Sequence, residues 1–127
     1  MNRLIILKRF AQGALLVGIL GSSFLSHAQE IIGRWTAADV ASLPNYCQDN
    51  LTRVNKEKWR SFFGPDKWAH LHHYCYGLIY FSRASTEIDS YKRGGICQRA
   101  IANFNYVLKA WPANFQLYPM AQMYKDQ

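Results

Sequence analysis

The chain has 127 residues, and its 15 Lys and Arg residues outnumber its 8 Asp and Glu residues, which gives a formal net charge of +7. This length corresponds to one domain and excludes a large multidomain architecture. A basic chain can bind nucleic acid, but no nucleic-acid recognition motif occurs here, and the sequence therefore argues against that class of partner.

The first 28 residues have the three parts of a secretory signal peptide. Three basic residues lie among the first nine, and an uncharged, mostly apolar stretch follows at 10–25. Small residues then precede a predicted cleavage site after Ala28. The uncharged stretch is shorter than the roughly 20 residues that a membrane-spanning helix needs, which favours cleavage over a retained anchor. We therefore predict a periplasmic or secreted bacterial protein with a mature domain at 29–127, whose membrane contact is peripheral if it occurs.

The start of the mature domain contains two helical segments. Thr36, followed three residues later by Asp39, has the spacing of a capping box and predicts a short helix. Pro44 ends this helix and suits the first position of the next one. From Asn45 onward, apolar residues recur with helical spacing as far as Phe62, which predicts a single helix over that interval.

A longer helix is predicted over residues 67–85. Gly64 and Pro65 end the preceding helix, and Asp66 is suited to the N-cap of the new one. Aromatic residues occur all around this helix, so we expect other elements to contact it on more than one side. Gly77 lowers its helix propensity by about 1 kcal/mol relative to Ala, which indicates that another backbone or ring comes close at that position.

The C-terminal part is predicted to be helical as well. Residues 86–93 are mostly polar or charged and predict a surface connection that ends at Gly94 and Gly95, after which an amphipathic helix starts at Ile96 and ends before Pro112. Residues 114–125 are predicted either as a further helix interrupted at Pro119 or as a loosely packed tail. No strand pattern occurs, so the predicted fold class is all-α. The expected core face of the amphipathic helix is Ile96, Ala100, Ile101, Phe104, Val107, Leu108 and Trp111.

Three cysteines follow the predicted cleavage site. In an oxidising compartment two of them are expected to pair, and three pairings are possible. We favour Cys47–Cys75, because both cysteines lie on predicted core stripes of helices that are adjacent in sequence. Cys97 is then the free cysteine, and a buried, inert thiol is the expectation for it.

The hairpin predicted at 67–111 resembles one tetratricopeptide repeat. Gly77 and Tyr80 match the G-x₂-Y part of that pattern, Ala100 and Phe104 match A-x₃-F, and Pro112 stands at the position of the terminal proline. In such repeats the small residues let two antiparallel helices approach, and the aromatic residues fill the space between them. The interval from Gly77 to Ala100 is longer than in the standard repeat by about eleven residues.

The segments at 43–47, 70–77 and 104–108 are similar to a family of exported, tetratricopeptide-like proteobacterial proteins without an established activity. His73 and Tyr76 depart from the repeat pattern, which has Trp and Leu there. The resemblance implies a helical hairpin and an envelope location, and it implies no mechanism. About one and a half repeat units are present, and since repeat arrays need about three for stability, other helices, a disulfide or self-association are expected to complete the core.

One group of side chains has metal-binding chemistry. His70, His72, His73 and Cys75 lie within one helical segment, where residues three apart share a face. Imidazole and thiolate ligands favour zinc or copper. A periplasmic metal-binding protein that uses these four residues is therefore the alternative function. Packing and hydrogen bonding within an aromatic helix is the competing interpretation of the same histidines.

No catalytic set is recognised in the sequence. The acidic residues form no paired-carboxylate motif, no glycine-rich phosphate loop occurs, and no C-x-x-C or haem-attachment motif is present. We therefore expect neither enzymatic activity nor a cofactor. The predicted function is that of an exported helical scaffold or adaptor, which mediates protein–protein interaction or assembly in the cell envelope with a partner protein or with a second copy of itself.

Overall fold

The computed structural model describes residues 35–127, so the predicted signal peptide and residues 29–34 lie outside the described residues. All regular elements in 35–127 are helices, which confirms the predicted all-α class for this part of the chain. None of these helices is long and apolar enough to cross a membrane. The helices are α1 Ala37–Ala41, α2 Asn45–Thr52, α3 Lys56–Phe63, α4 Pro65–Thr86, α5 Ser90–Ala110 and α6 Tyr118–Asp126.

An antiparallel hairpin of α4 and α5 forms the centre of the fold and covers nearly all of the predicted interval 67–111. At its open end, the indole Nε1 of Trp111 donates a hydrogen bond of 3.1 Å to the backbone oxygen of Lys67. Closer to its middle, Nδ1 of His73 lies 3.0 Å from Oδ1 of Asn103. Helices α2 and α3 pack on α4, and α6 packs mainly on α5. The remaining helices thus surround the hairpin.

One hydrophobic core lies between these helices. Leu71 of α4 and Phe104 of α5 are completely buried, and no polar or charged residue in the described range is buried. Burial of aromatic side chains supplies much of the stability of such a small domain, because each removes a large apolar area from water. The buried cluster comprises Trp35, Val40, Leu43, Cys47, Phe63, Trp68, Leu71, Tyr74, Cys75, Ile79, Tyr80, Ala100, Phe104, Val107, Trp111, Phe115 and Ala121.

The predicted capping box at the start of α1 is present. The Thr36 hydroxyl accepts a hydrogen bond of 3.1 Å from the Asp39 N–H, and the Asp39 carboxylate accepts one of 2.8 Å from the Thr36 N–H. The same carboxylate forms a bidentate pair with Arg83 of α4, at 3.0 Å to Nε and 2.6 Å to the terminal nitrogen. A local cap and a long-range ion pair therefore hold α1 in place together.

The single helix predicted from Asn45 to Phe62 is wrong, because the structure has two helices there. Arg53 and Asn55 adopt left-handed backbone conformations, with φ of 62° and 50°, and they separate α2 from α3. The Asp49 carboxylate stabilises this turn by accepting hydrogen bonds from the Asn55 amide at 3.1 Å and from the indole nitrogen of Trp59 at 2.6 Å. Hydrogen bonds from residues six and ten positions later to Asp49 thus stabilise a turn where the helical periodicity predicts a continuous helix.

The predicted start of α4 is wrong in one detail. Pro65 is the first residue of the helix, and Gly64, with φ of 86°, is its cap, so Asp66 lies inside the first turn rather than at the N-cap. Proline is well suited to this position because the first helical N–H has no intrahelical partner. The negative charge of Asp66 remains favourable there, since it lies near the positive end of the helix dipole.

The surface connection predicted at 86–93, with Gly94 and Gly95 at its end, is much shorter than expected. Helix α5 begins at Ser90, and the Asp89 side chain caps it by accepting a hydrogen bond of 2.9 Å from the Lys92 N–H. Gly94 and Gly95 therefore lie within the helix and not in a turn. The cap supplies a start signal that is strong enough to extend the helix through both glycines.

Two further predictions for the C-terminal part are corrected. Ile101 was expected in the core but is 41% exposed, and of the predicted core face only Ala100, Phe104, Val107 and Trp111 are buried. Helix α5 ends at Ala110, before Pro112, as expected. Pro119 does not interrupt the last helix but lies in the first turn of α6, where a proline is tolerated. The C-terminal segment is therefore a packed helix.

Candidate functional site

An open groove lies where α4 meets the α1–α2 turn and α6. Its volume is about 540 Å³. Helix α4 contributes a stripe of side chains spaced three and four residues apart, which places them on one face. Met120 and Tyr124, four residues apart on α6, line it from the other helix. The lining residues are Ser42, Leu43, Pro44, Tyr46, Tyr74, Leu78, Phe81, Ser82, Met120 and Tyr124.

A second hollow continues the groove on the other side of one aromatic pair. Phe81 and Tyr124, whose ring centroids are 5.0 Å apart, line both spaces. The second hollow has a volume of about 260 Å³ and contains the free Cys97 between α4, α5 and α6. None of the described histidines lines this hollow, and Lys125 is its charged residue. Together the two spaces form an aromatic groove along α4, and we use that name below.

The aromatic groove offers apolar contacts and a few hydroxyl groups. Its larger part is lined by no charged residue, and Ser42, Ser82 and the tyrosines are its polar groups. Burial raises the pKa of Tyr74 well above its usual range, and a negative charge on the neighbouring Tyr46 or Tyr124 would raise it further. Burial also raises the pKa of Tyr46, so Tyr46 and Tyr74 stay neutral at physiological pH. Such a surface is suited to binding apolar side chains and to hydrogen bonding.

Flexible apolar side chains lie near this groove and are accessible. Met120 is 40% exposed and Met123 is 43% exposed, both on α6. Unbranched methionine side chains adapt to partners of different shape and are over-represented at protein-binding surfaces. An exposed apolar surface of this kind is typical of interaction sites.

The histidines at positions 70, 72 and 73 lie outside the groove; His70 and His73 face α5, whereas His72 lines a hollow beside α2. Nδ1 of His70 is 3.1 Å from the hydroxyl of Tyr106, and the ring of His73 lies against the Tyr106 ring with centroids 3.7 Å apart. Partial burial lowers the pKa of His72, and the neighbouring His73 lowers it further. The contacts of His70 and His73 agree with the interpretation that these residues pack and hydrogen-bond within an aromatic helix.

The disulfide favoured from the sequence is present in the structure. Cys47 of α2 and Cys75 of α4 are joined, with their Cα atoms 5.4 Å apart, and both are completely buried. Cys75 therefore has to be removed from the predicted metal set, because a cysteine in a disulfide has no thiolate to offer a metal. Among the described residues, no group of three or more His, Cys, Asp and Glu side chains is arranged to hold an ion. Only the imidazoles of the predicted set can act as ligands.

The residues of the repeat pattern lie at the contact between the two arms of the hairpin. Gly77, Tyr80, Ala100 and Phe104 are buried, and Pro112 follows the end of α5 and is exposed. A Cβ atom placed on Gly77 would come within 2.7 Å of the Phe104 ring. The absence of a side chain at Gly77 therefore lets this ring pack against the backbone of α4, which is the close approach predicted from the sequence.

Sequence reasoning did not identify the aromatic groove. Met120 and Tyr124 lie in the segment 114–125, which the sequence leaves open between an interrupted helix and a loosely packed tail. A signal was nevertheless present, because Leu117, Ala121 and Tyr124 recur with the spacing of an amphipathic helix.

Comparison of the chain with known protein families, with curated proteins and with solved structures finds no match.

Proposed function

We propose that this protein is an exported helical adaptor whose aromatic groove binds an apolar segment of a partner protein or of a second copy of the chain. The observation that carries the proposal is the groove itself, which is open, mostly apolar, and continuous on both sides of the Phe81–Tyr124 pair. Grooves of this kind bind the apolar face of a helix through anchors at helical spacing.

The titratable groups support binding rather than catalysis. Active sites collect groups whose pKa values are displaced for proton transfer. Here the Arg83 guanidinium lowers the pKa of Asp39, and the Trp59 indole N–H lowers that of Asp49, so structural contacts account for both. Neither carboxylate lines the aromatic groove.

The location in the cell envelope is part of the proposal. A disulfide that joins two buried cysteines is stable in an oxidising compartment, and the predicted signal peptide would deliver the chain to one. The pairing of α4 with α5 through Gly77 and Phe104 supports the resemblance to a tetratricopeptide hairpin, which is a fold used for protein binding.

The adaptor function predicts that a charge in the aromatic groove abolishes partner binding. Met120→Glu places a carboxylate at the groove, and since a buried unpaired charge is costly, we expect at least a tenfold loss of captured partner. Protein purified from the envelope fraction is crosslinked in envelope extract, and the captured chains are identified and quantified by mass spectrometry. Size-exclusion chromatography of the same samples reports self-association.

Met123→Glu is the matched control. Met123 lies on the same helix and is as exposed as Met120, but it is not among the residues that line the groove. The proposal requires that this variant retains the partner, or the dimer, that Met120→Glu loses. Equal capture by both variants would contradict it, as would a monomer that captures no envelope protein.

A further inference from the structure

The positive charge of this protein is concentrated in one short part of the chain. Residues 53–67 hold five basic and two acidic residues, whereas the other described residues hold six basic and five acidic ones. Most of the net positive charge therefore belongs to α3, to the turn before it and to the start of α4. We call these residues, 53–67, the basic surface.

The cations of the basic surface are exposed and free of ion pairs with the described residues. Arg53, Lys56, Lys58 and Arg60 are exposed, and Lys67 is partly exposed. The ion pairs formed within residues 35–127 involve Arg83 and Lys125, which lie elsewhere. Positive charge that is not neutralised within the fold attracts anionic partners from solution.

Exposed apolar side chains accompany these cations. Phe62, in the last turn of α3, is 64% exposed, and Val54, in the turn before α3, is 51% exposed. The Nζ atom of Lys58 lies 4.5 Å from the centre of the half-buried Trp59 ring. A short surface helix that combines cations with exposed aromatic residues has the composition of helices that lie in the interface of a lipid bilayer. A purely electrostatic site for a soluble anion would not require exposed Phe62 and Val54.

A hollow in the basic surface has the chemistry of a phosphate site. It has a volume of about 320 Å³ and is lined by Asn50, Arg53, Lys56 and Trp68. Guanidinium and ammonium groups donate charge-assisted hydrogen bonds to phosphate oxygens. No side chain caps the start of α3, and Glu57 in its first turn partly offsets the positive end of the helix dipole there.

From these observations we propose that the basic surface docks the protein on a bilayer that contains anionic phospholipids. Phosphate headgroups occupy the positions facing Arg53 and Lys56, and Phe62 enters the boundary between headgroups and acyl chains. The aromatic groove is built from other residues, so docking by the basic surface does not use the residues that line that groove. This inference goes beyond the adaptor function and does not depend on it.

The test is co-sedimentation of the protein, purified from the envelope fraction, with phosphatidylglycerol-containing vesicles and with pure phosphatidylcholine vesicles. We expect binding to the anionic vesicles that weakens as salt rises, and little binding to the zwitterionic ones. Each cation near an anionic surface strengthens binding by about fivefold, so a Lys56→Gln, Lys58→Gln, Arg60→Gln variant is expected to bind about a hundredfold more weakly. Phe62→Ser is expected to weaken binding about tenfold, by removing the apolar contact.

The matched control removes three cations from α5, as Lys92→Gln, Arg93→Gln and Lys109→Gln. It has the same net charge and the same N-terminal segment as the first variant, and the inference requires that it retains most of the binding. Equal loss in both triple variants would overturn the inference. Equal affinity for the two vesicle types would also overturn it. So would a soluble acidic polymer that binds as tightly as the vesicles do and whose binding is unchanged by Phe62→Ser.

Discussion

At the scale of single residues, the contact between Gly77 and Phe104 sets how closely the two arms of the hairpin approach. Phe104 is completely buried, and a Cβ atom on Gly77 would come within 2.7 Å of its ring. Gly94 and Gly95 lie in the other helix, and a Cβ atom on either would meet no atom within 4 Å. The same residue type therefore has a packing role at position 77 and none at 94 or 95.

This difference predicts opposite effects of the same substitution. In Gly77→Ala, overpacking costs about 1–3 kcal/mol and offsets or exceeds the gain in helix propensity of about 1 kcal/mol, so we expect a net loss of up to about 2 kcal/mol in the free energy of unfolding. Gly94→Ala has only the propensity gain and is expected to be stabilised by about 0.5–1 kcal/mol. Urea unfolding of both variants measures this, and a stabilised Gly77→Ala would show that the ring can move.

At the scale of elements, α1 is too short to be stable alone and depends on its attachment to α4. The Asp39–Arg83 pair supplies this attachment, and the Arg83 guanidinium also lies 5.2 Å from the centre of the Trp35 ring. Hydrogen bonding from Arg83, followed by that from Thr36, lowers the pKa of Asp39 from 3.8 to about 2. Two elements that are distant in sequence are thus linked through one carboxylate.

This pKa predicts how acid weakens the attachment of α1. Because the pKa of Asp39 is lower in the folded state, its contribution to stability is complete above pH 3.8 and is lost as the pH falls to about 2. Asp39→Asn cannot titrate, so its unfolding free energy should fall less steeply over that interval than that of the wild type. Thermal unfolding between pH 2 and pH 7 measures the difference. Arg83→Met should also make the unfolding free energy depend less steeply on pH. If both variants kept the pH dependence of the wild type, the Asp39–Arg83 pair would not contribute to stability.

At the scale of the whole molecule, a domain of this size buries only part of its unfolded surface and benefits from a covalent link. The disulfide joins α2 to α4 across a sequence separation of 28 residues. A link of this span stabilises a protein mainly by restricting its unfolded chain. It also attaches α2 to the hairpin, and the basic surface begins directly after α2.

We expect removal of this disulfide to cost about 3–4 kcal/mol in a Cys47→Ala, Cys75→Ala variant, which is a large share of the roughly 5–15 kcal/mol typical of small domains. Cys97→Ser, at a free and half-buried position, should unfold within about 0.5 kcal/mol of the wild type. Urea unfolding with and without reductant tests both statements. A non-reducing peptide map with a Cys75–Cys97 link would contradict the assignment.

Local chemistry was enough to predict the features that depend on neighbouring residues. The capping box at Thr36, the stop at Gly64 and Pro65, and the end of α5 before Pro112 follow from backbone rules that act within a few residues. The all-α class follows from hydrophobic periodicity, which is also a short-range property.

Long-range contacts settled the features that local patterns missed. The break between α2 and α3 depends on the reach of Asp49 to Trp59, and the exposure of Phe62 depends on which side of α3 meets the core. The aromatic groove combines residues about eighty positions apart, from Ser42 to Tyr124. The periodicity of the sequence cannot predict this groove, because the groove depends on how the helices pack against one another rather than on whether they form.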